Sequence, residues 1–567
     1  MQGLSRDRTR TMTVIAQDPS VTLNEKMLRS EVTIPEEDLK PGPWGYRIHV
    51  VDYDASTNTY YKPRFFDLDT DPYKDKSDDE LLKDPQFHCQ NVYALVMRAL
   101  TRFEFALGRR VSWSFYGHQL KVVPHAFGDA NAFYSPTDHA LLFGYFPSLD
   151  KKRMVFTCLS HDIVVHETTH ALVDGLRERY IDPSSPDQAA FHEGFSDIVA
   201  LLSVFSLQDV TEKILDLADP NKEREFIALE FLKPEIFRKN ALLGLADEMG
   251  KELDYLRGDA LRRSATLEPS ESYYSDPEYF QSHKRGEILV AAVMNAMLRI
   301  LYKRIESLGT RKPGKVDRYR VTEDIAKIAD ILLTICIRAI DYCPPVDIQF
   351  GDFLSALLTA DKELYPDDTQ YCFRENLTSS FRAYGIKPAA RGLNGNGAWE
   401  PPDDDLNYDS VHFHSIQISE DEVFHFIWEN RTALDLFEDA YSRVLSVRPC
   451  MRTGPDGFVL HETVAEFMQT LILKANQLGD YGLRKPDAMP DDMDVKIHGG
   501  GSLIFNEWGR LKYNIHNRIK NFQRQQKRLD YLWEYGYFDP GSQYARTFAD
   551  MNRMRAVGFK STHREEW

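Results

Sequence analysis

An α+β fold is what this sequence predicts, and three patterns predict it. Residues 44–66 and 110–147 alternate β-branched and aromatic residues with polar ones, as half-buried strands do. From 156 to about 387 the apolar period changes to three and four, as in helices laid on a core. After a stretch rich in Gly, Pro, Asn and Asp, alternation returns at 411 and mixes with helical periods. The reading is a sheet-containing N-terminal part (1–155), a helical lobe (156–390), a linker (391–410) and an extra C-terminal α+β domain (411–567).

Each element has its own signal. Residues 44–66 read as a hairpin around Asp54-Ala55-Ser56-Thr57-Asn58. Asp67, Asp69 and Asp71 alternate as in a calcium loop, but Pro72 stands where such a loop needs glycine, so the run reads as solvated. Residues 87–107 read as a helix, and apolar residues at three- and four-residue spacing mark helices over 193–208, 286–304, 323–340 and 350–362. In the last part, 411–419 (VHFHSIQIS) reads as a strand, His498-Gly499-Gly500-Gly501 as a glycine turn, and 502–515 as a hairpin. The basic stretch 510–528 reads as a solvated helix face.

Composition removes several classes. The chain has 567 residues, with 69 Lys+Arg against 87 Asp+Glu, a formal charge of −18. That excess of acid argues against nucleic acid and anionic membranes as partners, since both require a cationic surface. With 28 Tyr, 33 Phe and 7 Trp the chain has ample material for a core, which excludes global disorder. Six scattered cysteines without a C-x-x-C pair read as buried free thiols. Residues 1–20 lack the apolar block of a secretory signal, and the greasiest stretch, 288–301, is too short to span a bilayer. A cytoplasmic location is the expectation.

Chemistry concentrates in His166-Glu167-Thr168-Thr169-His170. On a helix, positions i and i+4 share a face, so both imidazoles can converge on one ion while Glu167 projects beside them as a general base. A catalytic zinc needs a third protein ligand. The metzincin pattern fails, because Val173 and Leu176 occupy the places of its glycine and histidine. The remaining possibility is a carboxylate on the next helix, which Ser184, Ser185 and Pro186 announce. There Glu193 interrupts an apolar stripe of Phe191, Phe195, Ile198 and Leu202, a costly place for a carboxylate that binds nothing. Asp197, one turn on, can accept the second ring N–H of a zinc histidine.

These residues resemble the thermolysin-like gluzincin metallopeptidases, which carry an HExxH helix and a glutamate ligand with an outer aspartate on the following helix. Asn131-Ala132-Phe133-Tyr134 is similar to the family's edge strand, so the resemblance implies that Asn131 and Ala132 bind substrate backbone. Ser282-His283-Lys284-Arg285-Gly286 matches the segment holding the family's oxyanion-binding histidine, which implies that role for His283, with Glu278 able to orient its ring. Tyr180 stands near the place of the family's oxyanion-binding tyrosine. The resemblance spans roughly 131–365 and implies a two-lobe fold with the zinc helix between the lobes.

The expected function is that of a zinc metalloendopeptidase, acting on peptides or unfolded protein segments. Zn(2+) would be held by His166, His170 and Glu193, with Glu167 as general base. The Gly-x-Met-Glu-Asn segment of zinc aminopeptidases is absent. The alternative is a zinc-containing binding or scaffold protein with a gluzincin fold and little turnover. Retention of Glu167 argues against it, because a purely structural site has no use for a base.

Overall fold

Strand β1 (Thr9–Ile15) pairs antiparallel with β2 (Arg29–Pro35), where Ser30, Val32 and Ile34 turn inward while Glu31 and Thr33 face out. The computed structural model describes residues 8–63, 70–115, 117–149, 152–182, 184–221, 223–245, 264, 267–310, 312–402, 406–454, 457 and 459–539. Asp67 and Asp69 of the acidic run, and the chain beyond 539, lie outside the described residues.

The expected hairpin forms as Tyr53–Asp54 against Thr59–Tyr60, just after β3 (Ile48–Val50). Helix α1 (Pro85–Leu107) starts at Asp84, whose side chain accepts from the Gln86 N–H at 3.0 Å, and stops at Gly108, which takes φ +68°. The next strands are β4 (Leu120–Phe127), β5 (Ala132–Ser135), β6 (Ala140–Pro147) and β7 (Met154–Phe156). They join β3 in one mixed sheet of order β7-β6-β4-β3, with β3, β4 and β6 parallel. Strand β5 runs antiparallel along β6 and has no other strand beside it among the described residues.

The helical lobe follows the predicted periods. It comprises α2 (His161–Leu176), α3 (Pro186–Phe205), α4 (Gln208–Ala218), α5 (Ser282–Ser307), α6 (Arg318–Ala339), α7 (Phe350–Leu364) and α8 (Phe373–Ala383). Ser185 caps α3 by accepting from the Gln188 N–H, and Pro186 is its first residue. Phe191 stacks on Phe195 (centroids 5.4 Å apart) and meets the edge of Phe353. Helices α3 and α5 cross backbone to backbone: a Cβ on Gly194 would sit 3.0 Å from the Gly286 carbonyl oxygen.

Beyond residue 390 the described residues form neither strand nor α-helix before α9 (Glu420–Glu429), and Trp399 Nε1–H donates to the Tyr342 carbonyl at 3.0 Å on the way. An antiparallel meander follows: β8 (Tyr441–Thr453), β9 (Val459–Lys474), β10 (Asp494–Asn506) and β11 (Leu511–Asn517), then α10 (Phe522–Glu534). Val464, Ile504, Tyr513 and Ile515 of this sheet join the same hydrophobic cluster as the helical lobe. The junction is also charged. Asp341 takes both nitrogens of Arg109 (2.6 and 2.7 Å) and pairs with Arg452, which holds Glu462 at 2.6 Å. Arg177 pairs with Glu466.

Three sequence expectations change here. Residues 411–419 form turns, not a strand: the His412 carbonyl accepts from Ser415 and Ile416, and the buried residues Val411 and Ile416 are five apart. The three glycines at 499–501 lie inside β10, not in a turn. A Cβ on Gly500 would stand 2.5 Å from the Phe467 carbonyl, so a larger residue would push the neighbouring strand away. The basic run 510–528 is split between β11 and α10, and Arg524 reaches inward to Asp347 and Asp352, both at 2.7 Å. The expectation of free thiols holds for all six cysteines, five of them buried. Among the described residues no helix is long and apolar enough to cross a membrane.

Candidate metal centre

Helix α2 is buried over almost its whole length, so its polar residues face protein rather than solvent. His166 and His170, one turn apart, bring their Nε2 atoms to 2.8 Å. Glu193 of α3 caps the pair, with Oε2 3.4 Å from His166 Nε2 and Oε1 3.4 Å from His170 Nε2. His166 Nδ1 lies 2.7 Å from Asp197 Oδ1. An ionised carboxylate can only accept, so Nδ1 carries the proton and the Nε2 of a neutral ring presents a lone pair to its neighbour. Lone pairs of two imidazoles and a carboxylate, turned on one point, are the donor set of a cation site. Ligands of a tetrahedral zinc stand about 3.3 Å apart for bonds of about 2.05 Å. The Glu193 distances match that spacing, and the two rings would part by roughly half an ångström.

The other nitrogen of His170 lies 3.3 Å from both Ser196 Oγ and His192 Nδ1, and the His170 and His192 rings stack. His192 is a neighbour that sequence reasoning gave no role. Its only signal is its place beside Glu193. Burial pushes its imidazole down to about 4, so at neutral pH it adds no positive charge to the cluster.

Glu167 is fully buried, and its Oε2 accepts the backbone N–H of Tyr134 at 2.9 Å. The edge strand β5 therefore lies directly against the Glu167 carboxylate of α2. Tyr134 fixes that contact from its other end, its hydroxyl donating to Asp174 at 2.9 Å. Asn131 shapes the strand's start: its side-chain oxygen accepts the Ala132 N–H at 2.8 Å, and its carbonyl accepts from Gly144 at 2.8 Å. Ala132 is buried and registers against Phe143 of β6.

The outer residues divide. His283, in the first turn of α5, is brought to the cluster, with Nδ1 3.6 Å from Glu193 Oε2 and the side chain 28% exposed. The Gly194–Gly286 crossing permits that approach, and Arg285 locks it by pairing with Asp187 at the start of α3. Glu278 does not orient His283. It is exposed and pairs with Lys284 at 2.9 Å, the charge next in line on the same turn. Tyr180 is not at the site either. Its ring packs on Phe191, and its hydroxyl, 1% exposed as a residue, donates to the Pro344 carbonyl at 2.7 Å. The chain turns away from the cluster after Leu176, so nearness in sequence becomes burial in the core.

No protein-family model matches this chain, and no curated protein is found to be similar to it.

Proposed function

We propose that this chain is a zinc-dependent peptidase of the thermolysin-like gluzincin type, hydrolysing internal peptide bonds of peptides or unfolded segments. The observation that carries the reading is the carboxylate of Glu167, seated between the two-histidine, one-glutamate cluster and the free-edged strand β5. A cation site with structural duty alone has no need of a buried base beside it.

In this reading His166, His170 and Glu193 hold the metal and Asp197 fixes the His166 tautomer. Zinc, when bound, supplies Lewis acidity and lowers the pKa of water. Glu167 takes the proton of the attacking water and returns it to the departing amide nitrogen. Strand β5 turns one edge toward an extended substrate, whose carbonyl would displace the Asn131 side chain from the Ala132 N–H. His283, partly exposed beside Glu193, is the donor for the oxyanion.

The test is a Glu167→Gln protein beside wild type, each assayed for zinc content and for digestion of a broad peptide library. The expected result is unchanged zinc with cleavage reduced by at least about a hundredfold. A zinc-loaded wild type that cuts nothing in the library would refute the peptidase and favour a zinc-holding scaffold.

A further inference from the structure

A second buried cluster lies apart from the first. His88 comes from α1, His125 from β4, and Cys158 from the short turn Thr157–Leu159 that leads into α2. Their residues are 1%, 6% and 0% exposed. One ring nitrogen of each histidine and the Cys158 sulfur fall within 4.8 Å of one another.

Hydrogen bonding fixes what each ring presents. His88 Nε2 lies 3.1 Å from the Leu82 carbonyl, which can only accept, so that nitrogen carries a proton. His125 Nδ1 lies 2.8 Å from Asp52 Oδ1, which also only accepts. The remaining nitrogens, His88 Nδ1 and His125 Nε2, face each other at 2.8 Å. In neutral rings both are lone pairs, and two facing lone pairs need something positive between them. The His166–His170 pair poses the same problem, with Asp197 in the place of Asp52. The second oxygen of Asp52 is buried with no hydrogen-bond partner, so negative charge is in excess.

We propose that His88 Nδ1, His125 Nε2 and Cys158 Sγ form a second metal site, for a borderline-soft divalent cation of the zinc type. On binding, the Cys158 thiol releases its proton to solvent and the sulfur bonds to the metal, with no change of oxidation state. Charge balances: a divalent cation, the Cys158 thiolate and the Asp52 carboxylate sum to zero, the condition for holding such a group inside a protein. Three protein ligands leave a fourth position for water. The site ties α1, the central sheet and the entry to α2, three residues ahead of His161. It does not depend on the peptidase reading.

Sulfur separates the two sites, since the His166 cluster contains none. The full chain is stripped of metal and loaded with cobalt(II). Wild type should bind two equivalents and show a thiolate-to-cobalt charge-transfer band in the near ultraviolet. His166→Ala/His170→Ala should keep the band and one equivalent, and Cys158→Ser should lose the band. X-ray absorption on zinc-loaded wild type, which needs no variant to fold, should show a sulfur scatterer at about 2.3 Å. A spectrum without sulfur ligation, or a band that survives Cys158→Ser, would overturn the proposal; one equivalent with the band present would remove only the metal from the His166 cluster.

Discussion

Asp197→Ala should weaken zinc binding at the His166 cluster by ten- to a hundredfold while leaving the fold intact. The carboxylate accepts the His166 Nδ1–H at 2.7 Å and so sets which nitrogen faces the metal. A hydrogen bond with one charged partner contributes about 1.5–3 kcal/mol. The Asp197 side chain is 20% exposed, so water can replace part of the bond after truncation. What remains, about 1.4–2.7 kcal/mol, is ten- to a hundredfold in Kd, the range seen when such outer partners are removed. Asp197→Asn should fall between, because an amide oxygen can still accept the N–H without its charge. The assay is competition for zinc against a chromophoric chelator at neutral pH, with Glu167→Gln as a control whose affinity should match wild type. An Asp197→Ala protein that holds zinc as tightly as wild type would refute the argument that this carboxylate fixes the tautomer.

Two further outcomes test the frame around the site. Burial alone would raise the Asp341 carboxyl, but Arg109 and Arg452 hold it well below the usual range, so Asp341→Asn leaves the buried Arg109 without a carboxylate and Arg452 with Glu462 alone. It should cost about 3–5 kcal/mol in urea unfolding, and a loss below about 1 kcal/mol would show that the network does not join sheet and helices. His161, first in α2, is pushed well below its ordinary value by burial and then by Arg98. It stays neutral when folded and takes up a proton when unfolded below about pH 6.5, so its contribution is whole above that pH and lost as pH falls. Relative to wild type, His161→Gln should gain about 1.4 kcal/mol per pH unit of acidification, measured by denaturant titration across that range, and parallel curves would contradict it.

How much was legible follows from how local each signal is. His166, Glu167 and His170 needed only the pitch of one helix. Glu193 and Asp197 needed that and one more inference, that an acid in an apolar stripe must be bound to something. The long helices were legible for the same reason. Tyr180 was misread because ten residues past His170 the chain has already left the helix and entered the core beneath Phe191. Strand 411–419 was misread because alternation of bulky and polar residues does not require extended backbone when only Val411 and Ile416 have a core to enter. The glycines of β10 look like a turn because the sequence does not show that Phe467 and Pro345 crowd them. The cluster of His88, His125 and Cys158 was illegible altogether, having no spacing of its own. A helix, a strand and a turn from three parts of the chain assemble it.

The same distinction explains why the His166 cluster has the shape it has. The helical motif supplies two imidazoles and a carboxylate, but a lone helix would leave all three in water. The carboxylate that completes the set comes from α3, and α3 lies beside α2 only because its apolar stripe is buried behind it. The groups that face the cluster from outside come from elements whose backbones have been stripped of side chains or partners. Gly194 and Gly286 let α5 slide in far enough for His283 to reach Glu193, and β5, paired on one edge only among the described residues, gives the Tyr134 N–H to Glu167. Enlarging either glycine would move His283 without touching a ligand, whereas shifting β5 would move Glu167 without touching α5. The geometry around Glu167 and the geometry around Glu193 are therefore set by different parts of the fold, and they meet at the His166 and His170 side chains.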